Sequence, residues 1–463
     1  MRAFKIIALV VMICFSMSAC KAGLRQGGDP NKLGGAGDLG QYLIAGPSYP
    51  QMHPYPDEYA FSKANGDFDS EAFDKVYDAW RADKAKQEDF RQQFKGDYQN
   101  FYRKTAQIIL GDKNQAYSPI SLYMALAMLS ETTGGTTKSQ ILDLLGSQSS
   151  AIAHDAKALW NSNYSADTAS NSLLANSLWL REDLAYQKKH IDRLADDYYA
   201  SVFQGPMGSD AYNQVLQSWL NQQTGNLLQE QAKELTFSAD TVLGLVSTVY
   251  FQEKWSEGFM EEANSQETFY GDKEEVEAEF MHQREPGYYY WSHNFSAIHK
   301  SLLDGSAGMW FILPDEDTSI GEILANEEFF ALTSRQPSPE SWQNKKDVTI
   351  NLSLPKFDVE ANYDLTAPLK DLGVGDVFDP DKADFSPLLE EQDTPLWLSQ
   401  VKQGTRVAID EGGVTAASFT QMSVMESAMP PTEEVDFTLN RPFLFVVTGI
   451  SGDPLFIGLV QQL

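Results

Sequence analysis

The histidines, the side chains best able to act as a base or a metal ligand near neutral pH, occur without catalytic spacing in this 463-residue sequence. None belongs to an HExxH pair, and the sequence has neither a GxSxG nucleophile turn nor a phosphate-binding loop. Three of them share one segment but have no paired ligand residues beside them, so we interpret them as surface or core histidines. The six are His53, His154, His190, His282, His293 and His299. We therefore expect no enzyme activity, no metal site and no cofactor.

The two cysteines, Cys14 and Cys20, lie in a targeting segment at residues 1–20. A basic start is followed by an apolar run at 6–15, which is too short to span a bilayer as a permanent helix. The run ends in Met17-Ser18-Ala19-Cys20, which resembles a bacterial lipobox with Met17 where leucine is usual. The resemblance implies lipidation of Cys20 after removal of the signal peptide. An ordinary signal peptide is the alternative.

Lipidation of Cys20 implies an exported bacterial protein that contacts a membrane only through its lipid. Lys21 stands where aspartate would favour inner-membrane retention, so we expect an outer-membrane location. Loss of Cys14 with the signal would leave no thiol for a disulfide or for cysteine catalysis. The formal net charge of -30 would repel a phosphate backbone and argues against nucleic acid as a partner.

Residues 21–55 are rich in glycine and proline with little hydrophobic pattern, and we predict a flexible tether there. They include a formal GxGxxG at 35–40, but no strand precedes it and no amphipathic helix follows, so we reject a dinucleotide site. Helical patterns begin at Asp69 and near Lys86. We predict a helical N-terminal extension at 56–89 that packs on a main domain at 90–463.

The stretch at 410–424 has the composition of a strand that could insert between other strands. Gly412 and Gly413 allow a sharp turn, and a run of small or β-branched residues follows at 414–418. With period 2, one face would carry Val414, Ala416, Ser418, Thr420, Met422 and Val424. Lysine, arginine and proline, each an obstacle to insertion, are absent from 412 to 429. By itself the stretch is equally compatible with an uncharged linker.

Blocks on both sides of this stretch resemble, in order, the conserved blocks of the serpin family over residues 90–463. Serpins trap a protease by inserting their own cleaved loop into a sheet. The central block, at 245–255, is an apolar run typical of a strand buried on both faces. The others include Asn114 to Ser121, Ala125 to Leu129, Asn176 to Trp179, Leu354 to Phe357, Arg441 to Phe445 and Pro454 to Gly458. Single blocks are unspecific, but their joint order is specific.

The resemblance implies an α+β fold of three β-sheets, about eight or nine helices and an exposed reactive-centre loop. It assigns Ser118 and Ser121 to the shutter, where their hydroxyls would hold the central sheet, and Trp255 to the breach, where the loop first enters. Its inhibitory hinge would comprise Glu411, Gly412, Gly413, Val414, Ala416 and Ala417. Ser247 stands where asparagine is usual, and Ser418 and Phe419 replace later alanines, which leaves the efficiency of inhibition open.

The resemblance also implies a cleavage site, because inhibitory serpins typically place the scissile residue sixteen positions after the hinge glutamate. That position is Ser427, with cleavage before Ala428. Met425, Glu426 and Met429 are the neighbouring candidates. No lysine or arginine lies between Glu411 and Arg441, so trypsin-like enzymes lack a basic anchor. We predict a monomeric inhibitor of an elastase-, subtilisin- or chymotrypsin-like serine protease. A non-inhibitory binding protein and an inhibitor of papain-like cysteine proteases are the alternatives.

Overall fold

The computed structural model describes residues 39–62, 67–111, 113–167, 169–303, 305, 307–334, 342–391, 395–414 and 433–463. Twelve α-helices occur in these ranges: α1 (Leu39–Tyr42), α2 (Ser70–Gln93), α3 (Tyr98–Ile109), α4 (Pro119–Thr132), α5 (Gly135–Leu145), α6 (Ile152–Asn163), α7 (Lys188–Tyr198), α8 (Asp210–Gln223), α9 (Gln229–Glu234), α10 (Ile320–Ala325), α11 (Glu327–Thr333) and α12 (Thr366–Asp371). Within the same ranges, no helix is long and apolar enough to cross a membrane.

Seventeen strands form two hydrogen-bonded sheets in the described ranges. They are β1 (Leu43–Ala45), β2 (Gln115–Tyr117), β3 (Ser165–Ala166), β4 (Ser170–Arg181), β5 (Ala200–Gly205), β6 (Leu243–Lys254), β7 (Ser265–Tyr270), β8 (Glu275–Trp291), β9 (Phe295–Ser301), β10 (Gly308–Pro314), β11 (Lys345–Pro355), β12 (Phe357–Asp364), β13 (Gln400–Ile409), β14 (Gly413–Val414), β15 (Glu434–Thr438), β16 (Phe443–Thr448) and β17 (Pro454–Val460).

The first sheet carries the candidate site, and its strand order is β1-β5-β4-β6-β14-β13-β12, with β3 paired to β4. The second has the order β15-β11-β8-β9-β10-β16-β17-β2, with β7 paired to β8. Helix α4 is buried along its whole length, as its apolar and small residues on every face predict. Ser118, which caps the N-terminus of α4, lies beside β13 of the first sheet.

The α+β architecture is as predicted, although its elements divide differently from the expected three sheets and eight or nine helices. Strand β8 pairs with β7 and β11 along most of its length and with β9 at its end, so two expected sheets hydrogen-bond as one. The helix number is higher because α9 to α12 are short segments of six or seven residues, and because α1 and most of α2 precede the main domain.

The prediction of a flexible tether at 21–55 is wrong for residues 39–55. Strand β1 pairs antiparallel with β5 and forms the edge of the first sheet. Tyr49 is buried and stacks on Trp160, with ring centroids 5.5 Å apart. The apolar residues of this segment are few, but Leu39 and Tyr49 are buried against the main domain. The composition of residues 21–55 did not predict these contacts, because the burial of single aromatic residues leaves no periodic pattern in the sequence.

The helical N-terminal extension packs on the main domain. Helix α2 lies against α6, and the amide of Gln87 donates to the carbonyl oxygen of Tyr164. The indole of Trp80 donates to Asp167 at 3.3 Å. The N-terminal segments therefore add the edge strand β1 beside β5 and cover helix α6 with α2.

Candidate functional site

The candidate site is a tight turn between β13 and β14, built by the glycine pair and the aspartate before it. One carboxylate oxygen of Asp410 accepts from the amides of Gly412 and Gly413, at 2.8 and 3.1 Å. A side chain at Gly413 would meet the carbonyl oxygen of Glu253 at 2.2 Å, so the backbone can approach β6 only as glycine. The turn thereby sends the chain between two strands of the sheet.

Strand β14 occupies only one end of the space between β6 and β13. Val414 pairs antiparallel with Glu253 of β6 and with Ile409 of β13. At the other end, β6 and β13 pair directly and in parallel over five positions, from Gly244 to Thr248 of β6. Between these points, no described strand separates 249–252 from 405–408. Strands β6 and β13 are therefore paired directly where both begin, at 244–248 and 400–404. Near their other ends they are separated by β14, which supplies the first two residues of an additional strand.

The backbone of the turn is held by two aromatic residues beyond the end of β6. The indole of Trp255 donates to the carbonyl oxygen of Asp410 at 2.9 Å, and its amide donates to that of Gly412 at 3.0 Å. The amide of Phe259 donates to the carbonyl oxygen of Glu411 at 3.0 Å. Three consecutive carbonyl groups are thus fixed, and Trp255, the residue assigned to the breach, contributes two of these hydrogen bonds.

The side chain of Glu411 is anchored to a neighbouring strand end. Its carboxylate contacts the ammonium of Lys356 at 2.6 Å and the amide of Asn264 at 2.5 Å. Burial disfavours the charged carboxylate, but Lys356 and Asn264 outweigh burial and hold the pKa of Glu411 below its ordinary value. Burial raises the pKa of Asp410 despite the two amides that it accepts from. Acidification therefore changes the contributions of these two adjacent carboxylates to folding stability in opposite directions.

Replacing Glu411 with glutamine is expected to lower the thermal midpoint by a few degrees at pH 7 and by a smaller amount at pH 3. The folded pKa lies below the unfolded value of about 4.3, so its stabilisation is present above that pH and disappears as pH falls through the folded pKa. Differential scanning calorimetry of wild type and Glu411→Gln at both pH values measures the difference in thermal midpoint. Asp410 is present in both proteins, so its own pH dependence cancels in that difference.

The matched control for Glu411 is Glu434→Gln. That glutamate pairs with Arg284 at 2.6 Å on an exposed surface, where ion pairs contribute little. An undiminished difference between wild type and Glu411→Gln at pH 3 would contradict the assignment.

The contact between α4 and the sheet differs from the one predicted. The hydroxyl of Ser118 caps α4 by accepting from the amide of Ser121 at 3.3 Å, and the hydroxyl of Ser121 is buried without a partner among the described residues. The side-chain amide of Gln403 instead bonds both the amide and the carbonyl of Ser118, each at 3.0 Å. The contact between β13 and the start of α4 is therefore made by the side-chain amide of Gln403 and the backbone of Ser118. The sequence analysis expected the hydroxyls of Ser118 and Ser121 to make it.

Gln403 is the residue that the sequence analysis missed, although β13 carries a signal for it. The strand alternates buried and half-buried positions, and Gln403 occupies an inward position between Val401 and Thr405. A polar side chain on the inward face of an alternating strand indicates a buried hydrogen-bond partner. Beside it, Ser247 directly faces Asn176 on β4, and the side-chain polar atoms of both have no partner in the described ranges.

Several predicted site residues fall outside the described residues. They are Ala416, Ala417, Ser418 and Phe419 of the hinge, Met425, Glu426, Ser427, Ala428 and Met429 around the predicted cleavage site, and Cys20. The described ends of the intervening segment are Val414 between β6 and β13 and Glu433 beside β15 at the edge of the other sheet. The chain from 415 to 432 therefore connects the two sheets.

The histidines do not form a site. Across the part of the chain that the structure describes, no three His, Cys, Asp or Glu side chains are grouped so as to hold a metal ion. His282 contacts Ser265 and Ser353, whereas His299 lies buried against Trp310. Burial lowers the pKa of His299 to about 4, so it is neutral at physiological pH.

The comparisons with known proteins agree with this geometry. The family model described as "Serpin (serine protease inhibitor)" matches residues 89–463. The chain belongs to the serpin family. Serpins are in general inhibitors or binding proteins and not enzymes. The turn at Asp410–Gly413 lies at the position that the sequence analysis assigned to the hinge, between β6 and β13 of the first sheet.

This serpin is similar to several characterised ones. It is 30% identical to the alpha-1-antiproteinase S of Cavia porcellus over 363 residues, which is 75% of this chain and 84% of that protein. The native state of the thermophilic serpin tengpin superposes with a TM-score of 0.70 at 26% identity, covering 79% of this chain and 93% of that one. Thyroxine-binding globulin, crystallised with thyroxine, shares the fold, with a TM-score of 0.67 at 24% identity over 79% and 96% of the two chains.

Proposed function

We propose that this serpin inhibits a serine protease by trapping it as a covalent acyl-enzyme. The observation that supports this is the position of β14, which already forms two residues of a strand between β6 and β13. A strand that grows from Val414 needs only to break the direct pairing of β6 with β13. The hydrogen bonds lost in that parallel pairing are replaced by two antiparallel ladders, one on each side of the new strand.

The chemistry belongs to the protease until the loop inserts. Its serine oxygen attacks the carbonyl carbon of the scissile residue, the bond to the next nitrogen breaks, and that amine leaves with the proton from the protease's histidine. The acyl-enzyme ester then carries the N-terminal part of the loop. Insertion drags the protease along the sheet and distorts its oxyanion hole and triad, so water does not complete hydrolysis.

The target that fits the loop sequence is an elastase-, subtilisin- or chymotrypsin-like protease acting between Ser427 and Ala428. Incubation of residues 21–463 with neutrophil-type elastase is expected to give a complex that survives SDS, and mass spectrometry is expected to find a released peptide beginning at Ala428. Trypsin is expected to form no such complex, since the loop offers it no lysine or arginine. An equally efficient trypsin complex would refute the specificity.

A ligand-binding serpin is the second candidate, and one surface feature favours it. An open cleft of about 1080 Å³ lies between the end of α3, α10 and the loop after β10, with Arg441 on its wall. A binding serpin would be cut by elastase as an ordinary substrate, without an SDS-stable band and without a gain in thermal stability. That result would favour the cleft over the hinge as the functional site. A complex formed only with a papain-like enzyme would point to a cysteine-protease target.

We also propose that lipid on Cys20 anchors the protein, as a monomer, to the outer membrane of a bacterium. Expression of the full chain in a Gram-negative host is expected to place it in the membrane fraction and to label it with a radioactive fatty acid. Cys20→Ser is expected to abolish the label and release the protein from the membrane, while Cys14→Ser leaves both unchanged. Labelling of Cys20→Ser would contradict the proposal.

A further inference from the structure

A lysine that is almost fully buried lies behind the hinge, and the mechanism above does not use it. Lys300, on β9, has a side chain that is 1% exposed. Its ammonium contacts Glu285 at 3.0 Å and also donates to Gln283, both on β8. A buried ammonium costs several kcal/mol unless it is paired, so its presence in a core calls for a specific role.

The ammonium of Lys300 also faces the two aromatic rings that flank the hinge turn. Its nitrogen lies 4.7 Å from the ring centroid of Phe259 and 5.6 Å from that of Trp255. Both distances are within the range of cation–π attraction, which is strongest where water is excluded. The two rings meet edge to face, with centroids 6.2 Å apart, so a single cation holds an aromatic pair.

These two residues make the three backbone hydrogen bonds that fix the hinge. Trp255 donates to the carbonyl oxygens of Asp410 and Gly412, and Phe259 donates to that of Glu411. A continuous chain of contacts therefore runs from the second sheet, through Lys300 and the aromatic pair, to the turn from which β14 begins. No other described lysine contacts either ring within cation–π distance.

We propose that Lys300 is a positioning residue for loop insertion: its ammonium orients Trp255 and Phe259 so that the hinge turn stays in the geometry from which the inserted strand grows. Insertion competes with hydrolysis of the acyl-enzyme, so a turn already in place shortens the search for the correct register. The role in inhibition rests on the proposed function, but the orientation of the turn can be measured without any protease.

Hydrogen exchange of the uncleaved protein tests the proposal directly. In Lys300→Met the amides of Gly412, Gly413 and Val414 are expected to exchange about tenfold faster, because local opening no longer breaks the cation–π contacts. Lys300→Arg keeps the cation and is expected to retain the wild-type exchange. Lys300→Met leaves the carboxylate of Glu285 without its ammonium partner, so the double variant Lys300→Met/Glu285→Gln removes that charge as well. The double variant decides the test if the larger arginine does not fit.

The matched control is Lys345→Met, which removes a cation 4.7 Å from the ring of Tyr288 in the same sheet. It is expected to leave hinge exchange unchanged. Hinge exchange at the wild-type rate in both methionine variants would overturn the proposal. So would equal acceleration throughout the sheet, or an arginine variant that keeps the wild-type thermal midpoint but exchanges as fast as the methionine variant, because each indicates a packing role without a need for charge.

A protease assay connects this result to function. Against a protease that the wild type traps, Lys300→Met is expected to consume about three to ten times more inhibitor per complex formed, as a slower insertion step loses to hydrolysis. A wild type that traps no tested protease would refute the proposed function and leave the exchange result standing. Accelerated hinge exchange with unchanged inhibitor consumption would overturn the role in insertion.

Discussion

Replacing Ala416 with arginine is expected to turn the protein from an inhibitor into a substrate of its target protease. Val414 pairs with Glu253 and Ile409, so an inserted strand that continues this register places Ala416 opposite Phe251 and Val407. Both of these side chains are buried. A guanidinium there has no partner, and burying such a charge costs several kcal/mol.

The expected effect of Ala416→Arg follows from the competition between insertion and hydrolysis. If about 3 kcal/mol of the penalty enters the insertion barrier, insertion slows by about a hundredfold. The protease then hydrolyses the ester and is released. Titration of active protease with inhibitor, read together with SDS gels, is expected to show a loss of complex with cleavage retained.

The neighbouring residue supplies the matched control. In the same register Ala417 would lie opposite Tyr250 and Arg406 on the other face of the sheet, where both side chains are only partly buried. Ala417→Arg is expected to keep most of the inhibitory activity because its charge reaches solvent. Equal loss in both variants would show that the inserted strand does not follow the register of β14, and full inhibition by Ala416→Arg would exclude insertion of this face.

Replacing Gln403 with leucine is expected to destabilise the uncleaved protein by about 2 to 5 kcal/mol, since it leaves the amide and the carbonyl of Ser118 unpaired in the core. Leucine nearly preserves the volume, so the lost hydrogen bonds and not a cavity dominate the change. The variant is expected to unfold faster and at a lower temperature, as measured by circular dichroism during heating and after a jump into denaturant.

Gln223→Leu provides the comparison for Gln403→Leu. Gln223 is also buried, but its side-chain carbonyl has no partner among the described residues, so its replacement removes an unsatisfied group. Its expected effect on the thermal midpoint is small or stabilising. If the two leucine variants melt at the same temperature, the contact between Gln403 and Ser118 is not what holds β13 to α4.

Much of the site could be predicted because the hinge has local determinants. The glycine pair after Asp410 indicates a sharp turn, and the structure supplies the reason, since Gly413 touches the backbone of β6. The alternation along β13 predicts which of its residues face the core. The apolar run at 245–255 predicts a strand buried on both faces, and β6 lies in the middle of the first sheet. Each of these features depends on a few consecutive residues.

The N-terminal segment shows the limit of such prediction. Its composition resembles that of a tether, yet β1 adds to the edge of the sheet beside β5 and Tyr49 stacks on Trp160. Neither contact is encoded in a period of 2 or 3.6 residues. Both depend on complementary surfaces that other parts of the chain provide.

The sequence by itself determined the family, the order of the conserved blocks, the glycine turn after Asp410 and the absence of a basic residue between Glu411 and Arg441. The tertiary structure decided which atoms meet: Gln403 and the backbone of Ser118, 285 residues apart, and Lys300 beneath the two rings that hold the turn. The reason is physical. Local patterns fix the conformation of a segment, whereas register and packing between distant segments decide which buried polar group finds a partner.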